Sequence, residues 1–120
     1  MPWPILGTPE FVRWWNRLRS EEQISVDAVL RVLEKRGPLL GRPYADTLKG
    51  SKVSNLKELR IDHEGRAFRV LFAFDPLQRA ILLLGGDKSG DPRWYDRNIS
   101  RAESLFLQHL ESLQKGGKKK

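Results

Sequence analysis

The chain has 120 residues, 39% of them hydrophobic, with four tryptophans and no cysteine. That length suits one domain with a single modest core, and the lack of thiols excludes disulfides and thiolate metal sites, as fits a cytoplasmic protein. The net charge of +7 falls to +3 (18 basic against 15 acidic) once the four lysines of the final KGGKKK are set aside, so any anion site must come from local clustering.

No run approaches the roughly 18–20 apolar residues of a membrane span, and the start MPWPILGTPEFVRWW carries no basic leader before an apolar stretch. One domain is expected over residues 1–114, followed by a disordered Gly/Lys tail at 115–120.

The opening PWPIL suits an edge strand, with Pro2 and Pro4 removing two ladder donors. Thr8-Pro9-Glu10 starts a helix: a capping side chain, a proline at the first position, then an acid. Phe11, Trp14, Trp15 and Leu18 follow as one apolar stripe. Ser20 and Gln23 have capping-box spacing and open a second helix with the stripe Val26, Val29, Leu30 and Leu33. Lys35, Arg36, Gly37 and Pro38 end it. Residues 38–55 show no sustained period and read as a connection.

Three strands are expected near 56–62, 67–74 and 80–85, the first two joined at Glu64-Gly65 and the last two by DPLQ. A glycine-punctuated loop then leads into a final helix with the core face Ile99, Ala102, Leu105, Phe106, Leu110 and Leu113. The fold expected is α+β: a small antiparallel sheet with two N-terminal helices and one C-terminal helix, in the order (β)ααβββα, the helices packed on one face.

In the hairpin ELRIDHEGRAFRV, pairing His63 with Arg66 sets Arg60 opposite Arg69 on one face. Like charges at that spacing destabilise a sheet, so something negative belongs between them. Phe68, Val70, Phe72 and Phe74 claim the helix-covered face; Arg69 and Arg60, with Glu58 nearby, would sit on an open one. Arginine suits an extended anionic ligand there because its planar fork grips phosphate oxygens in pairs. The plainer reading is that both arginines form exposed ion pairs with Glu58 and Asp62.

Lys88 leaves the third strand at the end near the 63–66 turn, where it could join Arg66 and Arg69. His63, beside Arg66, would favour its neutral base form. Trp94 and Tyr95, among Arg93, Asp96 and Arg97, offer a stacking platform for unpaired bases; Trp94 is the one expected to seal the helix–sheet junction. No nucleotide-binding loop, Ser-His-Asp pattern or H-E-x-x-H occurs, and the two histidines His63 and His109 are too far apart to suggest a metal. No cofactor is expected.

Taken in order, GPLLGRPYADTLKGS, NLKELRIDHEGRAFRVLFAF and AILLLGGDKSGDPRWYD resemble the phage-derived, HigB-like branch of the RelE-type toxins over roughly residues 3–113. The resemblance implies a type II toxin that cleaves mRNA on the 70S ribosome by attack of the 2′-hydroxyl on the adjacent phosphorus. It also implies a cognate antitoxin, often with a helix-turn-helix domain, through which alone the toxin would reach operator DNA. On that reading Arg60, Arg69 and Lys88 stabilise charge, Tyr95 stacks or moves a proton, and His63 and Asp91 are candidate bases. Lys57, Arg66, Arg93 and Arg97 are the further RNA contacts. The alternatives are a non-catalytic RNA- or ribosome-binding module and a gyrase poison of the same fold.

Overall fold

The computed structural model describes residues 2–53 and 55–118. Strand β1 (Ile5–Gly7) leads through Thr8 into α1 (Pro9–Arg17) and α2 (Ser20–Arg36). A 3₁₀ turn (Gly37–Leu39), β2 (Ala45–Thr47), the long strands β3 (Lys57–His63), β4 (Arg66–Phe74) and β5 (Ala80–Asp87), and α3 (Trp94–Lys118) complete it.

The local signals act as their chemistry requires. The Thr8 hydroxyl accepts from the Phe11 amide at 3.1 Å and donates to the Leu83 carbonyl at 2.7 Å, so the cap of α1 is also a tie to β5. The cap of α2 sits one residue earlier than the Ser20–Gln23 spacing suggests. Arg19 holds that position, and the Glu22 carboxylate accepts from its amide at 2.7 Å.

The five strands lie in the order β1-β5-β4-β3-β2. Neighbours are antiparallel except β1 and β5, which are parallel, with α1 through β4 forming the crossover such a pair needs. The expected edge strand is therefore present, but it makes the sheet mixed. Strand β2 arises inside the stretch read as a connection, where only three residues pair with β3.

The helices cover both faces, which corrects the expectation of one open face. Helices α1 and α2 pack on Leu59, Ile61, Phe68, Val70 and Phe72. Helix α3 packs Ala102, Leu105 and Phe106 on Leu71, Ala73, Ile81 and Leu83. The physical reason is visible in β5: AILLLGG is apolar on both sides, and a strand of that kind needs cover on both. A bulge opposite Leu71/Phe72 turns Leu83 and Leu84 both toward α3.

Helix α3 also runs further than expected. Lys115 pairs with Glu111 one turn back at 3.0 Å, and the helix continues to Lys118. The expected tail is thus helical over 115–118, while residues 119–120 lie outside the described residues. Among the described residues no helix is long and apolar enough to cross a membrane.

Candidate nucleic-acid interface

The hairpin has the expected register. His63 pairs with Arg66 and Arg60 with Arg69, across a turn whose Glu64 and Gly65 both have positive φ, 49° and 79°. Two such residues match the right-handed twist of the flanking strands.

The negative charge between the arginines is Glu58, two residues before Arg60 and on the same face. Its carboxylate lies 3.7 Å from Arg69 Nε and 4.0 Å from Arg60 Nη1, and it accepts the Tyr95 hydroxyl at 2.5 Å. Glu58 and Arg69 are only 6% and 4% exposed. Arg69 Nη1 donates to the Phe68 carbonyl at 2.9 Å and lies 3.9 Å from Asp62, but its Nε has no hydrogen-bond partner. Burial chiefly, then the Glu58 carboxylate, pushes the Tyr95 phenol above its ordinary pKa, with Arg69 opposing. Tyr95 is therefore a hydrogen-bond donor at neutral pH.

Lys88 completes the cluster. Its amide extends the β4–β5 ladder by donating to the Ala67 carbonyl at 3.0 Å, and its ammonium lies 5.8 Å from the centre of the Tyr95 ring. Arg60, Arg69 and Lys88 against Glu58 and Asp62 leave the cluster one positive charge in excess. The ion contacts to Glu58 and Asp62, at 3.7–4.0 Å, are longer than hydrogen bonds.

Two glycines bring the elements this close. A Cβ on Gly85 would stand 2.3 Å from the Trp14 ring, and one on Gly86 2.7 Å from Trp94 Nε1. Two tryptophans thus lie directly on opposite faces of the end of β5. Trp94, 5% exposed, seals the start of α3 as its position suggested, and its ring meets Tyr95 edge-on at 5.2 Å.

The structure brings together Arg60, Arg69, Lys88 and Tyr95, and it puts other candidates elsewhere. His63 and Arg66 lie on the α1–α2 face. His63 Nδ1 is 2.7 Å from the Ser25 hydroxyl and its ring stacks on Phe68, while Arg66 bonds Glu22 and, at 3.0 Å, Asp87. The reason is the pleat: both positions alternate with Arg69 and Asp62, so they turn toward α2. Lys57, paired with Phe72, shares that opposite face. Asp91 and Arg93 lie on the turn into α3 and Arg97 in its first turn, Asp91 bonding the Arg97 guanidinium and the Arg93 amide. Glu58, read from sequence only as an ion-pair partner, is the residue around which the cluster is arranged. Its signal is the alternation Glu58, Arg60, Asp62 on the strand that faces Arg69.

Solved structures with this chain trace define its class. It matches the structure of the Escherichia coli toxin RelE, a doubly substituted mutant in the free state, with a TM-score of 0.63 at 12% identity over 84% of this chain and 98% of that one. The RelE–RelB complex from Pyrococcus horikoshii OT3 matches with 0.55 at 14% identity, over 75% and 99%. The fold is RelE-like.

At the level of sequence, the profile described as "Phage derived protein Gp49-like (DUF891)" matches residues 13–107. "Putative toxin HigB3" of Mycobacterium tuberculosis (strain ATCC 25618 / H37Rv) is 46% identical over 114 residues, which is 94% of this chain and 98% of that protein. "Putative toxin HigB2" of the same organism is 45% identical over 103 residues, 84% of this chain, which spans about half (51%) of that protein's length. The chain belongs to the Gp49-like family, the HigB-like branch of the RelE-type toxins.

Proposed function

We propose that the protein is the toxin of a type II toxin–antitoxin pair and an RNA endonuclease acting on ribosome-bound mRNA in the cytoplasm. The observation that carries this is the buried Arg69, opposite Arg60 and beside Lys88, with an Nε that has no hydrogen-bond partner within the protein. A buried guanidinium left partly unpaired is costly unless a ligand completes it. A phosphodiester oxygen has the charge and size to do so.

The residues suggest the following chemistry. Substrate displaces the Tyr95 hydroxyl from Glu58, which frees the carboxylate and opens Arg69. Glu58 takes the proton of the 2′-hydroxyl as that oxygen attacks phosphorus. Arg60, Arg69 and Lys88 stabilise the pentacovalent phosphorane, and Tyr95 donates a hydrogen bond to it or stacks on a base. The 5′-oxygen leaves with a proton from Lys88, giving a 2′,3′-cyclic phosphate and a 5′-hydroxyl. His63, held by Ser25 on the other face, and Asp91, bonded to Arg97, have no part in this scheme. Its base is Glu58.

The partner is a cognate antitoxin, which the RelE–RelB complex of the same fold supports; a helix-turn-helix domain in that antitoxin is part of the proposal. Induction should arrest growth, co-expression of the adjacent gene should relieve it, and the fragments should carry cyclic phosphate ends. Arrest with intact mRNA would favour the binding-module reading instead.

A further inference from the structure

A cavity of about 350 Å³ lies against the cluster, between the 48–53 loop and the first three turns of α3. It is within the roughly 300–1,000 Å³ range of pockets for small ligands. Tyr95 is one of its walls, and the same side chain donates to Glu58, so cavity and cluster adjoin through one residue.

The loop is held in place to form it. Glu103 Oε2 accepts from the Ser51 hydroxyl at 2.8 Å and the Lys52 amide at 2.5 Å, and these bonds hold the carboxyl below its usual range. The Ser51 hydroxyl also accepts from the Val53 amide at 3.1 Å. One acid is therefore engaged in fixing backbone. Among the described residues the exposed ammonium groups of Lys49 and Lys52 form no ion pair. Opposite them the wall offers an aromatic ring, the aliphatic Ile99, the Ser100 hydroxyl and one exposed carboxylate, Asp96.

Two exposed cations on a fixed loop backbone, beside a flat aromatic and an apolar surface with a hydroxyl and a carboxylate at the edge, match one nucleotide: phosphate, base face and base edge. We propose that Lys49, Lys52, Tyr95, Asp96, Ile99 and Ser100 form a second nucleotide subsite for the residue adjoining the cleaved bond. Its phosphate lies on the two lysines, and its base edge reaches Asp96. A carboxylate accepts from an exocyclic amine and repels a carbonyl, so the subsite prefers an amino-bearing base to uracil. This deepens the nuclease reading and rests on it.

The test uses the full chain and 2′-O-methyl RNA, which cannot supply the attacking hydroxyl. A dinucleotide fills the cluster alone; tetranucleotides extended on either side, carrying cytosine or uracil in the added positions, reach the cavity. The wild-type chain should bind a cytosine-extended tetranucleotide about tenfold more tightly than its uracil counterpart, and Asp96→Asn should remove that preference. In Lys49→Ala/Lys52→Ala the affinity gained by extension should vanish, and the slope of log affinity against log salt should fall by about 0.7 per lysine. Unchanged extension gain and slope, with dinucleotide binding lost in Arg60→Ala, would overturn the subsite and leave the nuclease reading standing. Failure of the wild-type chain to bind either oligonucleotide, with no cleavage on translating ribosomes, would overturn both. Loss of antitoxin binding in the lysine variant, with RNA binding intact, would assign the cavity to a protein partner and overturn the proposal.

Discussion

The β3–β4 hairpin presents charge to both sides of the sheet, and the two sides treat it differently. Toward α2, Arg66 bonds Glu22 and Asp87, and the Glu22 carboxylate also takes the Arg19 amide. The Arg19 amide first, then Arg66 and the Arg19 side chain, outweigh burial and hold Glu22 below the usual carboxylate range. Toward α3, Arg60 and Arg69 approach Glu58 only at 4.0 and 3.7 Å, and one buried N–H of Arg69 goes unused. The first arrangement pairs each of its charged groups within the protein, and the one buried atom it leaves without a hydrogen bond is His63 Nε2. The second leaves one Arg69 N–H unbonded and holds Glu58 through the Tyr95 hydroxyl at 2.5 Å, and these are the groups the proposed reaction uses.

The largest expected effect breaks that contrast at the side proposed to be active. Arg60→Ala, which alters a partly exposed residue, should lower RNA cleavage roughly 100- to 1,000-fold, as does loss of one preorganised charge-stabilising donor elsewhere. Growth arrest should disappear while the circular dichroism spectrum and melting temperature stay near wild type. Glu22→Gln should do the opposite: a lower melting temperature with arrest retained. If both variants fail in the same way, the two sides of the hairpin do not differ in role.

The next effect concerns the glycines that let the tryptophans approach. Gly85→Ala would push a methyl into Trp14 on the α1 face, and Gly86→Ala into Trp94 on the α3 face. Overpacking of this kind typically costs about 1–3 kcal/mol. Melting temperatures should fall in both. Only Gly86→Ala should also lower cleavage beyond its loss of stability, because Trp94 seats Tyr95. Equal activities in the two variants, measured well below their melting temperatures, would detach Trp94 from the site.

Much of this was legible in the sequence. Period-two alternation and the Glu64-Gly65 turn fixed the register that sets Arg60 against Arg69, and the caps at Thr8 and Gly37 bounded the helices. The cover over the second face is hard to read there because Arg69 stands beside Leu71 and Ala73 and gives that face a polar look. Strand β2 was missed because three residues carry too little pattern to show a period. His63 and Arg66 were assigned to the site by nearness along the chain, whereas the pleat turns them away from it. Glu58 was underrated for a related reason: an acid beside arginines looks like an ordinary ion pair until its burial and the distant Tyr95 hydroxyl are known.

A smaller effect should appear in acid, and it weighs the closed charges against each other. Burial pushes the Asp75 carboxyl up, but hydrogen bonds from His109 at 2.8 Å, from the Arg79 guanidinium at 2.8 and 3.0 Å, and from the Arg79 amide more than offset it. Asp87 is likewise held down by Ser89 and Arg66 against its burial. A carboxyl with a depressed folded pKa contributes stability that is present above its unfolded value, near 4, and lost as pH falls through the folded value. As far as these carboxyls are concerned, urea midpoints should therefore be flat between about pH 5 and 9 and drop below about pH 4. Asp75→Asn should shrink that drop; an undiminished drop would place the acid-labile contacts elsewhere.

The smallest effect reads the open cluster directly. In a Tyr44→Phe background, Tyr95 is the one remaining tyrosine. Its phenolate absorbance should emerge above the ordinary value of about 10, because burial and the Glu58 carboxylate both oppose the charge. The sign for stability follows from that raised value: this contribution is present below about pH 10 and lost as pH rises through the folded pKa. Glu58→Gln keeps the burial and the size of the side chain but removes the negative charge, while Arg69 remains to favour the phenolate. The titration should then move down toward 10. If it stays where it was, the carboxylate does not control Tyr95, and a substrate would have no hydroxyl to displace in order to set Glu58 free.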